Sequence, residues 1–356
     1  MNNINSNGLN KFFNIVQKGV DTVTKVVPKL VEKTLPLVTT GMVAKAFSKT
    51  PPICVPLMQK ARPLVQALAQ PSSEFFTGQT FPENHPVPIS DMFQKWDPEY
   101  IEFIQTHCMK PFEWCVGPGV SNIEDPDKVF IARSEFAPDI SVERAKRFKF
   151  ILPSNIDERV KRNPNLKVRP LMIRCFGVGS GNTLKQIKEG AGNVLSLPTD
   201  RLESANALIL SHIESKQQEF KSDPNVLVVP FITGFSLGGM FANAIAVKNN
   251  FTSITVNGLG LGESGCKFVG EKNWKRAQQQ SNSHIAMFVD QDFVASSDSA
   301  WRGVTKIPGH IVRIPSNNPN PTISQMTKIH FYKNHFNKAL QDYRVSCLPA
   351  ANRLIA

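Results

Sequence analysis

From Phe12 onward, Val16, Val20, Val23, Val27 and Leu30 recur at three- and four-residue spacing, the period of an amphipathic helix. Lys11, Lys18 and Lys25 recur every seven residues along the same stretch and give it a cationic face. Gly19, Pro28 and Pro36 interrupt that period, so it predicts short broken helices rather than one rod. Residues 71–88 concentrate Pro, Ser, Thr and Gly and read as a linker or extended arm. A basic helical N-terminal region with a Pro-rich linker is therefore expected over residues 1–95.

The pattern changes beyond this point. Residues 97–115 look helical and 118–127 read as loop. Arg147-Phe148-Lys149-Phe150-Ile151-Leu152 alternates basic and apolar residues, as a half-buried strand does. Leu171-Met172-Ile173-Arg174-Cys175-Phe176 is a short apolar run leading into Gly177-Val178-Gly179-Ser180-Gly181-Asn182. A helix is expected over 201–220, with Leu202, Ala205, Leu208, Ile209 and Ile213 on one face. Strands follow at 226–233, 254–256, 285–289 and 310–314, helices at 240–248 and 330–343. Strands alternating with helices at this spacing predict an α/β domain, residues 96–356, whose mostly parallel sheet is covered on both faces.

Composition narrows the class. In 356 residues, a hydrophobic share of 41% against a charged share of 20% excludes a wholly disordered chain. The formal net charge of +12 favours acidic partners (anionic membrane, nucleic acid or acidic protein) without choosing among them. No nucleic-acid motif or aromatic-basic repeat accompanies the charge, so no nucleic-acid partner is expected. The six cysteines are scattered without a CxxC and read as mostly reduced core thiols. His107, Cys108 and Cys115 lack a second Cys/His pair at zinc spacing, so no metal is expected. There is no apolar run of 18 residues, and residues 1–10 lack the order of a secretory signal. These features predict a cytoplasmic or non-classically secreted chain that meets membranes only from the surface.

The strongest local signal is Gly234-Phe235-Ser236-Leu237-Gly238-Gly239, between an apolar strand and an Ala-rich helix. A serine at the tip of a sharp strand-to-helix turn sits in a strained backbone, and crowding between strand and helix demands small neighbours. The helix behind it adds a positive dipole and free N–H groups for a developing oxyanion. A serine hydroxyl also needs a neutral imidazole to take its proton, and that imidazole needs a carboxylate to orient it.

These six residues resemble the Gly-His-Ser-Leu-Gly-Gly elbow of α/β-hydrolases, especially the class 3 (fungal-type) lipase-like proteins. The resemblance runs in order over about 148–343. Thr255-Val256-Asn257-Gly258 resembles the strand after the elbow helix. Val289-Asp290-Gln291-Asp292-Phe293-Val294 resembles the strand end that carries the family's triad acid, and Ile329-His330-Phe331-Tyr332 the approach to the helix beside the triad histidine. Phe235 stands where the family has histidine, and Pro230 lies in what should be a central strand, where it would delete a ladder hydrogen bond.

The resemblance implies Ser236 as nucleophile, with Asp292 favoured as acid by its Asp-Phe-Val context. Asp290 is the alternative, on the same face of an extended segment, and Asp298 is a more distant third. His330 and His335 compete as base; five residues apart on a helix they would diverge by about 140°, so only one can serve. His330, nearer the helix start, is favoured. His310 and His284 read as structural. The oxyanion donors would be the amide of Leu237 and one from the 177–180 turn, such as Val178. That turn also resembles a phosphate loop but lacks the Gly-Lys-Ser/Thr ending.

The implied activity is ester hydrolysis without a cofactor, with lipid esters as substrate. By their amphipathic pattern, residues 11–50 are expected either to pack on the main domain as a helical subdomain or to contact an anionic membrane surface. The rival class is a non-catalytic α/β-hydrolase-like protein that binds a membrane or protein partner. Residues 263–283, with Trp274, Lys275 and Arg276, are expected either to cover the site or touch headgroups, or to be an ordinary surface helix.

Overall fold

A computed structural model describes residues 86–109, 121–127, 129–176, 201–292, 306–316, 329–330 and 333–349. The expected helices and membrane contact of residues 11–50, and most of the 1–95 region, lie outside the described residues. In chain order the elements begin with β1 (Val87–Pro88), α1 (Ile89–Phe93) and α2 (Pro98–His107). Next come β2 (Ser121–Glu124), β3 (Ile131–Phe136), β4 (Ile140–Ser141), α3 (Val142–Arg147) and α4 (Ile156–Arg162). The centre holds β5 (Lys167–Cys175), α5 (Arg201–Glu219), β6 (Val226–Phe235), α6 (Leu237–Asn249) and β7 (Thr252–Val256). The chain continues through α7 (Glu263–Val269), α8 (Glu271–Gln279), β8 (His284–Val289), β9 (His310–Ile314) and α9 (Lys333–Ser346).

Among the described residues, nine strands form one sheet in the order β1-β9-β8-β7-β6-β5-β3-β2, with β4 also on β5. From β5 to β9 and on to β1 every pairing is parallel; β2, β3 and β4 pair antiparallel at the other flank. This mixed α/β architecture with a mostly parallel central sheet agrees with an α/β-hydrolase fold. The strands β7 and β8 are buried at every position, as strands covered on both faces must be. On one face α1, α2 and α9 pack over Met172, Phe231, Val256, Met287 and Val312. On the other, α5, α6, α7 and α8 cover Ile173 and Ile232.

Local chemistry accounts for several boundaries. Asp97 caps α2 by accepting from Glu99 N–H at 2.8 Å, with Pro98 as first helical residue. α5 buries Leu202, Ala205, Ile209 and Ile213 at helical spacing, as its sequence predicts. α6 is buried from Leu237 to Val247; a helix apolar all round belongs inside the molecule.

Three expectations need correction. The strand expected at 147–152 is absent: α3 runs to Arg147, and Lys149 takes a left-handed conformation with φ 57°. The turn sends both Phe148 and Phe150 into the core, where Phe148 stacks on Tyr100 at 5.1 Å, so the alternation reflects two aromatics packed by a turn. The helix expected over 97–115 ends at His107. Part of the loop expected at 118–127 is strand β2. Pro230 does lie within β6, but β7 starts opposite Phe231. At Pro230 the strand therefore has a neighbour on one side only, the condition that tolerates proline at edges.

Candidate active site

Ser236 joins β6 to α6 with φ 56° and ψ −128°, a conformation costly for any side chain larger than glycine's hydrogen. Neighbouring backbone forces the glycines around it. A Cβ on Gly234 would lie 2.4 Å from the Gly238 carbonyl oxygen, and one on Gly238 2.3 Å from the Cys175 carbonyl oxygen. A Cβ on Gly239 would lie 2.6 Å from Gly258 Cα, which explains the extra glycine after the elbow. The contact with Cys175 and Phe176 sets the turn beside the end of β5, where the chain enters 177–180. That segment, including Val178, lies outside the described residues. Leu237 is the first residue of α6, so its amide has no acceptor within the helix.

The C-terminal edge of a parallel sheet is where open α/β folds gather functional side chains, and the other predicted residues sort themselves by that edge. Asp292 lies just beyond β8, after Gln291 in a left-handed turn with φ 65°, its amide bonded to the Val289 carbonyl at 3.1 Å. Its Oδ2 accepts from His330 Nδ1 at 2.6 Å. Asp292 is 0% exposed and His330 7% exposed, so little water competes for the bond. An acceptor at Nδ1 fixes the proton there in the neutral ring and leaves Nε2 as the basic nitrogen. The His330 ring also packs on Phe235, centroids 4.5 Å apart, beside the residue that precedes Ser236. Phe235 thus forms one wall of the His330 environment.

The alternatives are placed differently. Asp290 accepts from Arg313 Nε at 2.9 Å on the neighbouring strand. His335 lies inside α9, half-buried, and burial lowers its pKa. Asp298 is outside the described residues. His284 and His310 open β8 and β9, at the edge opposite Ser236. Burial, helped by the charge of Arg276, pushes the His284 pKa down to about 3.

Two further features bear on the chemistry. Cys108, Cys175 and Cys266 are buried thiols; burial pushes Cys108 up to about 12 and also raises Cys175, which denies both the thiolate form a nucleophile needs. Trp274 is completely buried against the α6 face and Arg276 Nη2 donates to the Val247 carbonyl at 2.9 Å. Trp274 and Arg276 therefore anchor α8 to the body of the protein, and the buried Trp274 has no surface left to touch a headgroup.

The sequence alone assigns Asn257 no role. Its side chain is fully buried and bonded to the chain at both His330 and Val289. The only local signal was an Asn-Gly pair after an apolar strand.

No protein-family model matches the chain, and no curated protein matches it. Among solved structures it is similar to two crystal structures of mutants of the esterase rPPE, at 12% and 13% identity. The matches cover 82% of this chain and 97% and 98% of theirs, each with a TM-score of 0.23. Among the described residues, no helix is long and apolar enough to cross a membrane.

Proposed function

We propose that the protein is a serine ester hydrolase in which Ser236 is the nucleophile, His330 the base and Asp292 the acid. The observation that carries this reading is the buried 2.6 Å hydrogen bond from His330 Nδ1 to Asp292, with the imidazole packed on the residue before a strained Ser236. In this mechanism His330 Nε2 takes the proton of the Ser236 hydroxyl as its Oγ attacks the ester carbonyl carbon. The Leu237 amide donates to the oxyanion of the tetrahedral intermediate, and the second donor is assigned to the Val178 amide. Collapse breaks the bond to the alkoxy oxygen, which leaves with the proton held by His330. Water then attacks the acyl-serine, with His330 again taking and returning a proton. Asp292 holds the ring's tautomer and stabilises the imidazolium without itself being protonated.

Lipid esters are the substrate class we favour. The support is the cationic, amphipathic sequence pattern of residues 11–50, which suits an anionic interface. The decisive test is reaction of the full chain with a fluorophosphonate probe, alongside hydrolysis of short-chain nitrophenyl esters and of esters in anionic vesicles. Labelling and turnover that vanish together in Ser236→Ala are expected. Undiminished labelling in that variant removes Ser236 from the role. Equal turnover of vesicle esters after deletion of residues 1–85 removes the interfacial assignment.

A further inference from the structure

Asn257 follows β7 in a left-handed conformation, φ 46°, which asparagine tolerates better than most side chains. Both ends of its carboxamide are committed. Nδ2 donates to the His330 carbonyl at 2.9 Å, and Oδ1 accepts from the Val289 amide at 2.8 Å. Its own amide donates to the Met287 carbonyl at 2.8 Å. A carbonyl can only accept and an amide N–H only donate, so the side chain has one workable orientation; flipping it would break both bonds.

The next two residues extend the set of ties. Gly258 packs on Gly239, where an added Cβ would come 3.1 Å from the Gly239 Cα. Leu259 N–H donates to the Ser236 carbonyl at 3.1 Å. Val289, held by Asn257, accepts in turn from the Asp292 amide. Three consecutive residues thus touch each of the three chain segments that carry Ser236, Asp292 and His330.

We propose that Asn257 is a positioning residue: its carboxamide fixes the main chain of His330 relative to the turn that presents Asp292. This rests on the hydrolase reading of Ser236, His330 and Asp292. The bond from Asp292 fixes the tilt of the imidazole. The reach of Nε2 toward Ser236 depends also on where the His330 backbone sits, and a displacement of about 1 Å in a reacting group can cost about 10²-fold in rate. The Asn257 carboxamide removes that freedom, while Leu259 ties the nucleophile's carbonyl to the same short segment. Phe235 adds contact from the side; the hydrogen bonds set the height.

The test is Asn257→Gly in the full chain, since glycine accepts the left-handed backbone and removes both side-chain bonds. For a soluble short-chain ester, kcat should fall about 10- to 100-fold while KM stays within about threefold, the split expected when orientation rather than binding is lost. The downfield Nδ1–H proton resonance of His330, assigned by its loss in His330→Gln, should broaden or disappear. Should the glycine variant not fold, Asn257→Asp keeps the volume and the acceptor for Val289. Assayed at the alkaline end of the pH profile, it removes the donor to His330 and should show the same two changes. A folded variant with unchanged kcat, or with an unaltered His330 resonance, overturns the proposal. If the wild-type chain neither reacts with a fluorophosphonate nor turns over any ester, the hydrolase reading fails by itself. The resonance then decides the positioning role: loss upholds it and persistence overturns it.

Discussion

Asp290 and Asp292 are two residues apart yet serve different partners: Asp290 accepts from Arg313 Nε at 2.9 Å, while Asp292 accepts from His330 Nδ1 at 2.6 Å. The left-handed Gln291 between them, φ 65°, breaks the extended backbone that would have kept both carboxylates on one face. Asp292→Asn should therefore lower kcat by up to about 10⁴-fold with KM little changed, because the amide cannot hold the required tautomer. Asp290→Asn gives up a partly exposed ion pair, worth about 1 kcal/mol or less, and should keep most activity. Steady-state kinetics on the two variants checks this; equal losses would remove Asp292 from its role.

The two histidines make a parallel case. His330 precedes α9 and meets Asp292, whereas His335 sits within the helix. His330→Ala should approach the inactivity of Ser236→Ala, since the proposed mechanism assigns the serine proton to His330. His335→Ala should react with a fluorophosphonate at nearly the wild-type rate. A dead His335 variant beside an active His330 variant would reassign the base.

The glycines separate strain from function. Gly239→Ala drives a methyl to 2.6 Å from Gly258 Cα, backbone that cannot swing away. It should cost about 1–3 kcal/mol of stability and lower kcat, because the loop it displaces contacts Ser236. Gly270 has φ 77° and nothing within 4 Å of an added Cβ. Gly270→Ala should cost about 1–3 kcal/mol through backbone strain alone and leave kcat intact. Urea unfolding paired with kinetics reads both; a Gly239→Ala variant of normal stability and rate would contradict the close crossing.

His284 should make the fold acid-sensitive. Its folded pKa, pushed down to about 3 mainly by burial, lies below the ordinary unfolded value near 6.5. The unfolded state therefore takes up the proton first. Stability from this group is complete above about pH 6.5 and falls as pH drops toward 3, by up to about 1.4 kcal/mol per pH unit. His284→Phe should flatten the slope of unfolding free energy between about pH 6 and pH 4. An unchanged slope would show that the acid sensitivity has another source.

What could be read from the chain follows from where the physical signal resides. The strands β6 and β8 are buried at nearly every position and carry the apolar runs 226–232 and 285–289, so their sequences announce them. Ser121-Asn122-Ile123-Glu124 and Ile140-Ser141 are too short and polar to carry a period, and become strands only because neighbours in the sheet offer hydrogen bonds. Phe148 and Phe150 mislead because two buried aromatics separated by one lysine look alike in a strand and in a turn. The elbow is legible because its crowding is local and only glycine fits. Asn257 is not, because its partners His330 and Val289 lie 73 and 32 residues away, and no short window contains such a bond.

The pairing of Val87 with Val312 sets an order of assembly. The two positions are 225 residues apart in sequence (312 − 87), so the edge strand has nothing to dock on until β9 has formed. Closing so long a loop carries an entropic cost that is recovered only once β8 and β9 are in place. During synthesis, the first part of the chain must therefore wait for nearly the last. Pro88, which lacks an amide hydrogen, limits further strand addition at this late-docking edge. Val87 and Pro88 thus form the strand with the longest delay before it can pair.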